Sequence, residues 1–135
     1  VDEIEPGNQV RVTLHMPDQE QQVSVQGSQQ LLHLALSNIV LNACKYSDNK
    51  WVLVSLAVAG GKIVITIIDE GIGIPAAELK YIFAPFFRAS NSNQYEGYGI
   101  GLPLTNTIVR LHKGDIRIIS AVGKGTTVIV TLPVA

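Results

Sequence analysis

Three groups of residues in this chain could do chemistry. The first is a glycine run, Gly97-Tyr98-Gly99-Ile100-Gly101-Leu102, with glycine at every second position. Such a backbone takes positive φ freely and lets another molecule come close. The stretch Leu102 to His112 reads as a helix, with Pro103 in its first turn, where a missing N–H is harmless. Free amides and the positive end of the helix dipole make this an anion site, with phosphate as the first candidate. On these residues alone a simple turn before a helix remains the alternative. The second group is Asn38, Asn42 and Lys45, at i, i+4 and i+7 on one stripe of a long, mostly apolar helix. An amide oxygen is a hard ligand suited to Mg²⁺, and a lysine three residues on can meet phosphate charge. Its alternative is a solvated helix face, but Leu31, Leu34 and Leu41 crowd the same neighbourhood, and buried amides need partners. The third is Asp69, which closes the most apolar strand and precedes Gly71 and Gly73. Its carboxylate can accept from an exocyclic amine while the glycines admit a planar ring; an Asx-type strand terminator is the bland reading.

Other residues point to less. All three phenylalanines fall in Phe83-Ala84-Pro85-Phe86-Phe87 beside Arg88, either as core or as a docking surface. His15, His33 and His112 have no metal-ligand spacing with one another or with Cys44, so a zinc site is not expected and each is read as structural or surface. The single cysteine forms no internal disulfide.

Several elements must position these groups. Val10 to His15 and Val23 to Val25 read as strands, and Ser28 caps a helix running to about Tyr46. Strands at Trp51 to Val58 and Lys62 to Ile68 are joined by Gly60-Gly61, the second nearly all β-branched and expected to be central and buried on both faces. A short helical piece spans Ala76 to Phe83, and 88–97, without apolar periodicity, is expected to be a mobile loop. A last hairpin pairs Ile116 to Ala121 with Thr127 to Leu132 around Gly123-Lys124-Gly125. The expected fold is α+β: a two-layer sandwich with a mixed, largely antiparallel sheet of five to six strands and about three helices on one face. The 135 residues form one domain, 1–135.

With 47% hydrophobic and 16% charged residues the chain is globular, and ten basic against eleven acidic side chains leave a net charge of −1. That balance gives neither a nucleic-acid footprint nor a polybasic membrane patch, so any anion must be held locally. The start at Val1, without a signal peptide or initiator Met, is expected of a piece excised from a longer protein.

Taken in order, these blocks resemble the catalytic, ATP-binding domain of bacterial sensor histidine kinases, in the superfamily shared with gyrase, mismatch-repair and chaperone ATPases. Residues Asn38 to Ser47 look like the N box, Asp69 to Pro75 the first glycine box, Ile82 to Arg88 the F box, and Gly97 to Leu102 the second glycine box; Gly123-Lys124-Gly125-Thr126 matches the closing turn. The resemblance covers essentially the whole chain and implies the Bergerat ATP-binding fold. It implies that Asp69 accepts from the adenine amino group with Thr126 nearby, through water. It further implies that Asn42 ligates Mg²⁺, that Asn38 and Lys45 help hold phosphates or metal, and that Tyr46 lies against base or sugar. Arg88 and the loop to Gly97 would form a lid, Gly99, Gly101 and Leu102 would give amides to phosphates, and Ile74 and Ile100 would line the adenine pocket. Gly71 and Gly73 complete the nucleotide-binding set. Asn106 stands where many members carry lysine, and Pro103 is less usual in its place.

The family's phosphoacceptor histidine sits in an upstream helical dimerisation domain, in a His-Glu or His-Asp context that this sequence lacks. The expected activity is therefore transfer of the γ-phosphoryl of Mg–ATP to a histidine on that separate domain, which would also supply the general base; no catalytic residue is assigned on this chain. The expected partners are the dimerisation domain and, downstream, a response regulator, with no nucleic acid or membrane contact, for a monomeric cytoplasmic domain whose parent can be membrane-anchored. One alternative is a hydrolytic ATPase or serine kinase of the same superfamily. Such members carry a water-activating glutamate four residues before the metal-binding asparagine, where Asn38 cannot take a proton. A nucleotide-binding or interaction module without catalysis is the other alternative. The glycines at 97–101, followed by no Lys-Ser/Thr and preceded by no strand, read best as the hinge of a lid.

Overall fold

In a computed structural model the described residues form five strands, two α-helices and one 3-10 helix. The structure describes residues 10–15, 25–46, 52–83 and 101–134, and of 10–15 and 44–46 only the backbone. Strand β1 is Val10–His15, β2 Val52–Ala59, β3 Lys62–Asp69, β4 Asp115–Ala121 and β5 Gly125–Pro133. Helix α1 is Gln29–Tyr46 and α2 Gly101–Leu111; the 3-10 helix covers Ala76–Tyr81, where the sequence suggested a helical piece. The strands lie in the order β1-β2-β3-β5-β4. Only β1 and β2 run parallel, as two strands joined through a long crossover helix can, and the other three pairs are antiparallel. This is the mixed, largely antiparallel sheet and α+β fold that the sequence implied. The expected strand at Val23 to Val25 lies outside the described residues except for Val25, which is not in a strand.

Local chemistry sets the boundaries. The Ser28 hydroxyl accepts from the Leu31 amide at 3.2 Å, capping α1 where the sequence placed its start. At the end of α2, Gly114 N–H donates to the Val109 carbonyl at 2.9 Å and Lys113 N–H to the Arg110 carbonyl at 3.0 Å. These two bonds close a Schellman motif whose left-handed position is Lys113, at φ 61°.

Both α-helices cover one face of the sheet. Ile39, Val40 and Ala43 of α1 and Val109 of α2 pack on Val52, Val54, Ile63, Ile65, Ile67, Ile116, Val128, Val130 and Leu132. On the opposite face Val64, Thr66, Ile68 and Ile129 stay half-exposed, and Arg117 and Ile119 are exposed. This corrects one expectation. Strand β3 is central, but its β-branched run is buried on one face only, because among the described residues no helix covers the other. A second correction concerns α1: Leu31, Leu34 and Leu41 are 39–40% exposed, so this helix is not buried all round. Its solvent side carries leucines, while Asn38 and Asn42 sit on a half-buried side.

Candidate nucleotide site

The sheet register carries the core to an abrupt chemical boundary. On the helix-covered face, Val54, Ile67, Val128 and Ile118 form one apolar row across β2, β3, β5 and β4. One step along the strands, the row becomes Val52, Asp69, Thr126 and Ser120. Three polar side chains thus lie side by side where the apolar core ends, the arrangement expected of a pocket with a few convergent polar groups.

Asp69 is only 7% exposed. Its Oδ1 accepts the Gly71 amide at 2.8 Å, so the Asx turn that the sequence offered as the plain alternative is present. The Thr126 amide also bonds the carboxyl group. Burial raises the Asp69 pKa above its ordinary value, and the amides of Gly71 and Thr126 only partly offset it. A carboxylate has about four lone-pair directions, and two amides leave capacity for a further donor. Asp69 therefore closes a turn and still has acceptor capacity to offer.

The loop after Asp69 is sewn to the β4–β5 turn. Gly123 N–H donates to the Ile72 carbonyl at 2.9 Å, and Ile74 N–H to the Ser120 hydroxyl at 2.8 Å. Gly73, at φ 75°, lies so close to β4 that a Cβ there would come within 1.9 Å of the Ala121 carbonyl oxygen. The sequence suggested that this glycine makes room for a ring; the structure shows it making room for the neighbouring strand.

The second wall is the pair of α-helices, whose alignment is fixed at two points. The Thr105 hydroxyl, wholly buried, points to the Ala35 carbonyl at 3.5 Å. Eight residues from Thr105 counted inclusively, at the end of α2, buried His112 donates from Nδ1 to the Ile108 carbonyl at 2.7 Å and accepts the Ser28 amide on Nε2 at 3.0 Å. Gly27 admits the ring, since a Cβ there would lie 2.0 Å from His112 Cδ2. The two contacts make α1 and α2 antiparallel neighbours. Continuing that alignment by one turn brings the N-terminus of α2, Gly101 and Leu102, beside the turn of α1 that carries Asn38, with Asn42 one turn further along α1. The free amides and positive dipole end of α2 therefore adjoin Asn38.

Residues 27–135 match the family described as Histidine kinase-, DNA gyrase B-, and HSP90-like ATPase. The chain belongs to that family. Within this ATPase family, sensor kinases are among its relatives. It is 38% identical over 112 residues to an uncharacterized sensor-like histidine kinase, R01002, of Rhizobium meliloti strain 1021, covering 81% of this chain and 21% of the relative. It is 43% identical over 101 residues to the adaptive-response sensory kinase SasA of Synechococcus sp. strain JA-2-3B'a(2-13), covering 73% and 27%. The mycobacterial sensor histidine kinase MprB superposes with a TM-score of 0.79 at 29% identity, over 95% of this chain and 83% of that one. The chain thus spans about a quarter of the length of these curated relatives, as the catalytic ATPase-type domain of the sensor histidine kinase class.

The structure places Asp69, Gly71, Gly73, Ile74 and Thr126 together at the sheet end. Asn38, Asn42, Gly101 and Leu102 fall on the α1–α2 side. Lys45 and Tyr46 end α1, but their side chains lie outside the described residues, as do Arg88, Gly97, Gly99 and Ile100 entirely. The lid and most of the F box are therefore outside them too, while Phe83 packs against the core. Among the described residues no helix is long and apolar enough to cross a membrane, and no cluster of three His, Cys, Asp or Glu could hold a metal. Sequence reasoning missed Ser120 and the role of His112. The signal for Ser120 was the hairpin turn, whose length sets it opposite Thr126.

Proposed function

We propose that this domain binds Mg–ATP and delivers its γ-phosphoryl group to a histidine on a separate upstream dimerisation domain of a two-component sensor kinase. The observation that supports it most is the buried Asp69 carboxylate, held where the apolar core of the sheet ends, with acceptor capacity left over. Asp69 takes the adenine amino group, with Thr126 alongside, and Gly71, Gly73 and Ile74 form the wall beside the base. The α2 N-terminus, with Gly97, Gly99, Ile100, Gly101 and Leu102, cradles phosphate, joined by Arg88, Asn38, Lys45 and Tyr46.

The residues present fit Mg²⁺. Asn42 is half-buried one turn along α1 from Asn38, and no carboxylate cage is found among the described residues, which suits an ion held by one amide oxygen, phosphates and water. When bound, Mg²⁺ would neutralise charge on the phosphates. What the chain itself does is position: Asp69 fixes the base, and the glycine amides and Asn38 hold the phosphate tail in line for an outside acceptor. The general base comes with the acceptor domain, so the domain alone, a cytoplasmic monomer in this reading, transfers almost nothing. A response regulator receives the phosphoryl group afterwards.

The test is calorimetry with ADP and Mg²⁺, followed by labelling with radioactive ATP with and without the parent's dimerisation domain. Binding by the domain alone, labelling only with the added domain, and loss of labelling in Asn42→Ala are expected. Steady ATP hydrolysis by the pure domain would sink the transfer reading, and labelling that survives Asn42→Ala would sink the metal assignment.

A further inference from the structure

We infer that Ser120 sets the base preference of the site, by taking the hydroxyl proton of Thr126 and leaving that hydroxyl able only to accept hydrogen bonds. The inference rests on the nucleotide reading above and adds a residue to it.

Hydrogen-bond counting carries it. A serine hydroxyl has one proton and two lone pairs. Ser120 Oγ has three partners: the Gly125 carbonyl oxygen at 2.9 Å, the Ile74 amide at 2.8 Å and the Thr126 hydroxyl at 2.8 Å. A carbonyl can only accept, so the Ser120 proton goes to Gly125. An amide can only donate, so one Ser120 lone pair goes to Ile74. The remaining lone pair faces Thr126, which must supply its own proton to that contact. All three positions on Ser120 are then filled, and Thr126 Oγ1 is left with lone pairs alone.

Thr126 lies directly across from Asp69 in the β3–β5 register, on the same face of the sheet. Asp69 accepts only, and the amides of Gly71 and Thr126 are already spent on it. The two side chains that meet a base edge are thus both acceptors, and the edge must bring hydrogens. A 6-aminopurine carries two on its exocyclic nitrogen. A 6-oxopurine carries none there and sets its carbonyl oxygen against lone pairs on both sides. The acceptor ring nitrogen beside the amino group finds no donor in Thr126 and needs a water. Had Thr126 kept its proton, it could turn to a 6-oxo group and blunt the discrimination. The Ser120–Thr126 bond prevents that, and the Ile74 and Gly125 contacts hold Ser120 in place.

The experiment measures the affinity of the 135-residue chain for ADP and for inosine diphosphate by calorimetry, and takes their ratio. Ser120→Ala should weaken ADP binding through the loosened Ile74 loop, and by freeing the Thr126 proton should lower the preference for ADP about five- to tenfold, the worth of one recovered hydrogen bond. A purely structural role would weaken both nucleotides equally and leave the ratio unmoved. Ser120→Cys, which keeps the volume but accepts poorly, should shift the ratio the same way and serves if the alanine variant does not fold. Adding Thr126→Val to either variant should restore the preference, because no proton remains to donate. An unchanged ratio in both Ser120 variants overturns the inference while leaving the nucleotide reading intact; absence of ADP binding by the unaltered chain overturns both.

Discussion

Gly73 and Gly123 offer a matched experiment on backbone strain against backbone contact. Both sit in the left-handed region, at φ 75° and 76°, so an alanine at either meets the same conformational penalty, about 1–2 kcal/mol. They differ in what surrounds the new methyl group. At Gly123 nothing lies within 4 Å, whereas at Gly73 the Cβ would sit 1.9 Å from the Ala121 carbonyl oxygen and 2.6 Å from its carbon. Ordinary contact begins at 3.4 Å, so the Asp69–Pro75 loop and β4 would have to separate by well over an ångström. Overpacking costs about 1–3 kcal/mol even where side chains can yield, and here the obstacle is backbone. Gly73→Ala should therefore cost about 3–5 kcal/mol and Gly123→Ala about 1–2. Urea unfolding at matched pH reads the difference as a shift in midpoint, provided the slope is unchanged. In a domain this size Gly73→Ala should also melt roughly 10 °C lower. Separation of the loop would disturb the Ile74–Ser120 bond, so ADP affinity should fall in Gly73→Ala and change little in Gly123→Ala. Equal destabilisation of the two variants would refute the close approach of the loop to β4.

Two further outcomes follow from the buried polar groups. Replacing His112 with Phe fills the same space but strands the Ser28 amide, which should cost about 1–3 kcal/mol in urea unfolding, while His112→Gln, which keeps an acceptor, should recover part of it; equal losses would mean that packing and not the bond matters. For Asp69 the sign follows from its pKa, raised by burial above its ordinary value of 3.8. Between the unfolded and folded values the native state holds more protons, so the group's contribution to stability is greatest in acid and falls as pH rises through that window. The stability of the chain relative to Asp69→Asn should accordingly decline as pH rises from about 3 towards neutrality, and a difference that grew instead would show a carboxylate stabilised, not penalised, by its site.

How much of this was legible beforehand differs from element to element. The α1 cap at Ser28, the two glycine turns and the end of β3 at Asp69 followed from short-range chemistry: a hydroxyl before an apolar run, positive φ at glycine, a carboxylate after β-branched residues. The solvent side of α1 did not. Leu31, Leu34 and Leu41 made the helix read as mostly buried, and only the position of the helix above the sheet decided that they face outward. Strand β3 misled for a related reason, since Val64 and Ile68 are as apolar as their buried neighbours and nothing local marks the uncovered face.

Residue types and order alone therefore determined the family, the fold class and the three groups of candidate ligands, because turns, caps and glycine loops are written in contiguous residues. Tertiary structure decided how those sets are built into a site. The register set Asp69, Thr126 and Ser120 in one row, and two contacts, Thr105 to Ala35 and His112 to Ser28, ran α2 antiparallel to α1 so that its N-terminus adjoins Asn38. The partners of Ser120 and His112 emerged only with the fold, since each acts on residues that folding brings within hydrogen-bond reach. A hydroxyl or imidazole is a common side chain; what it can donate or accept depends on how many partners surround it, and those are fixed only when the sheet and helices have packed.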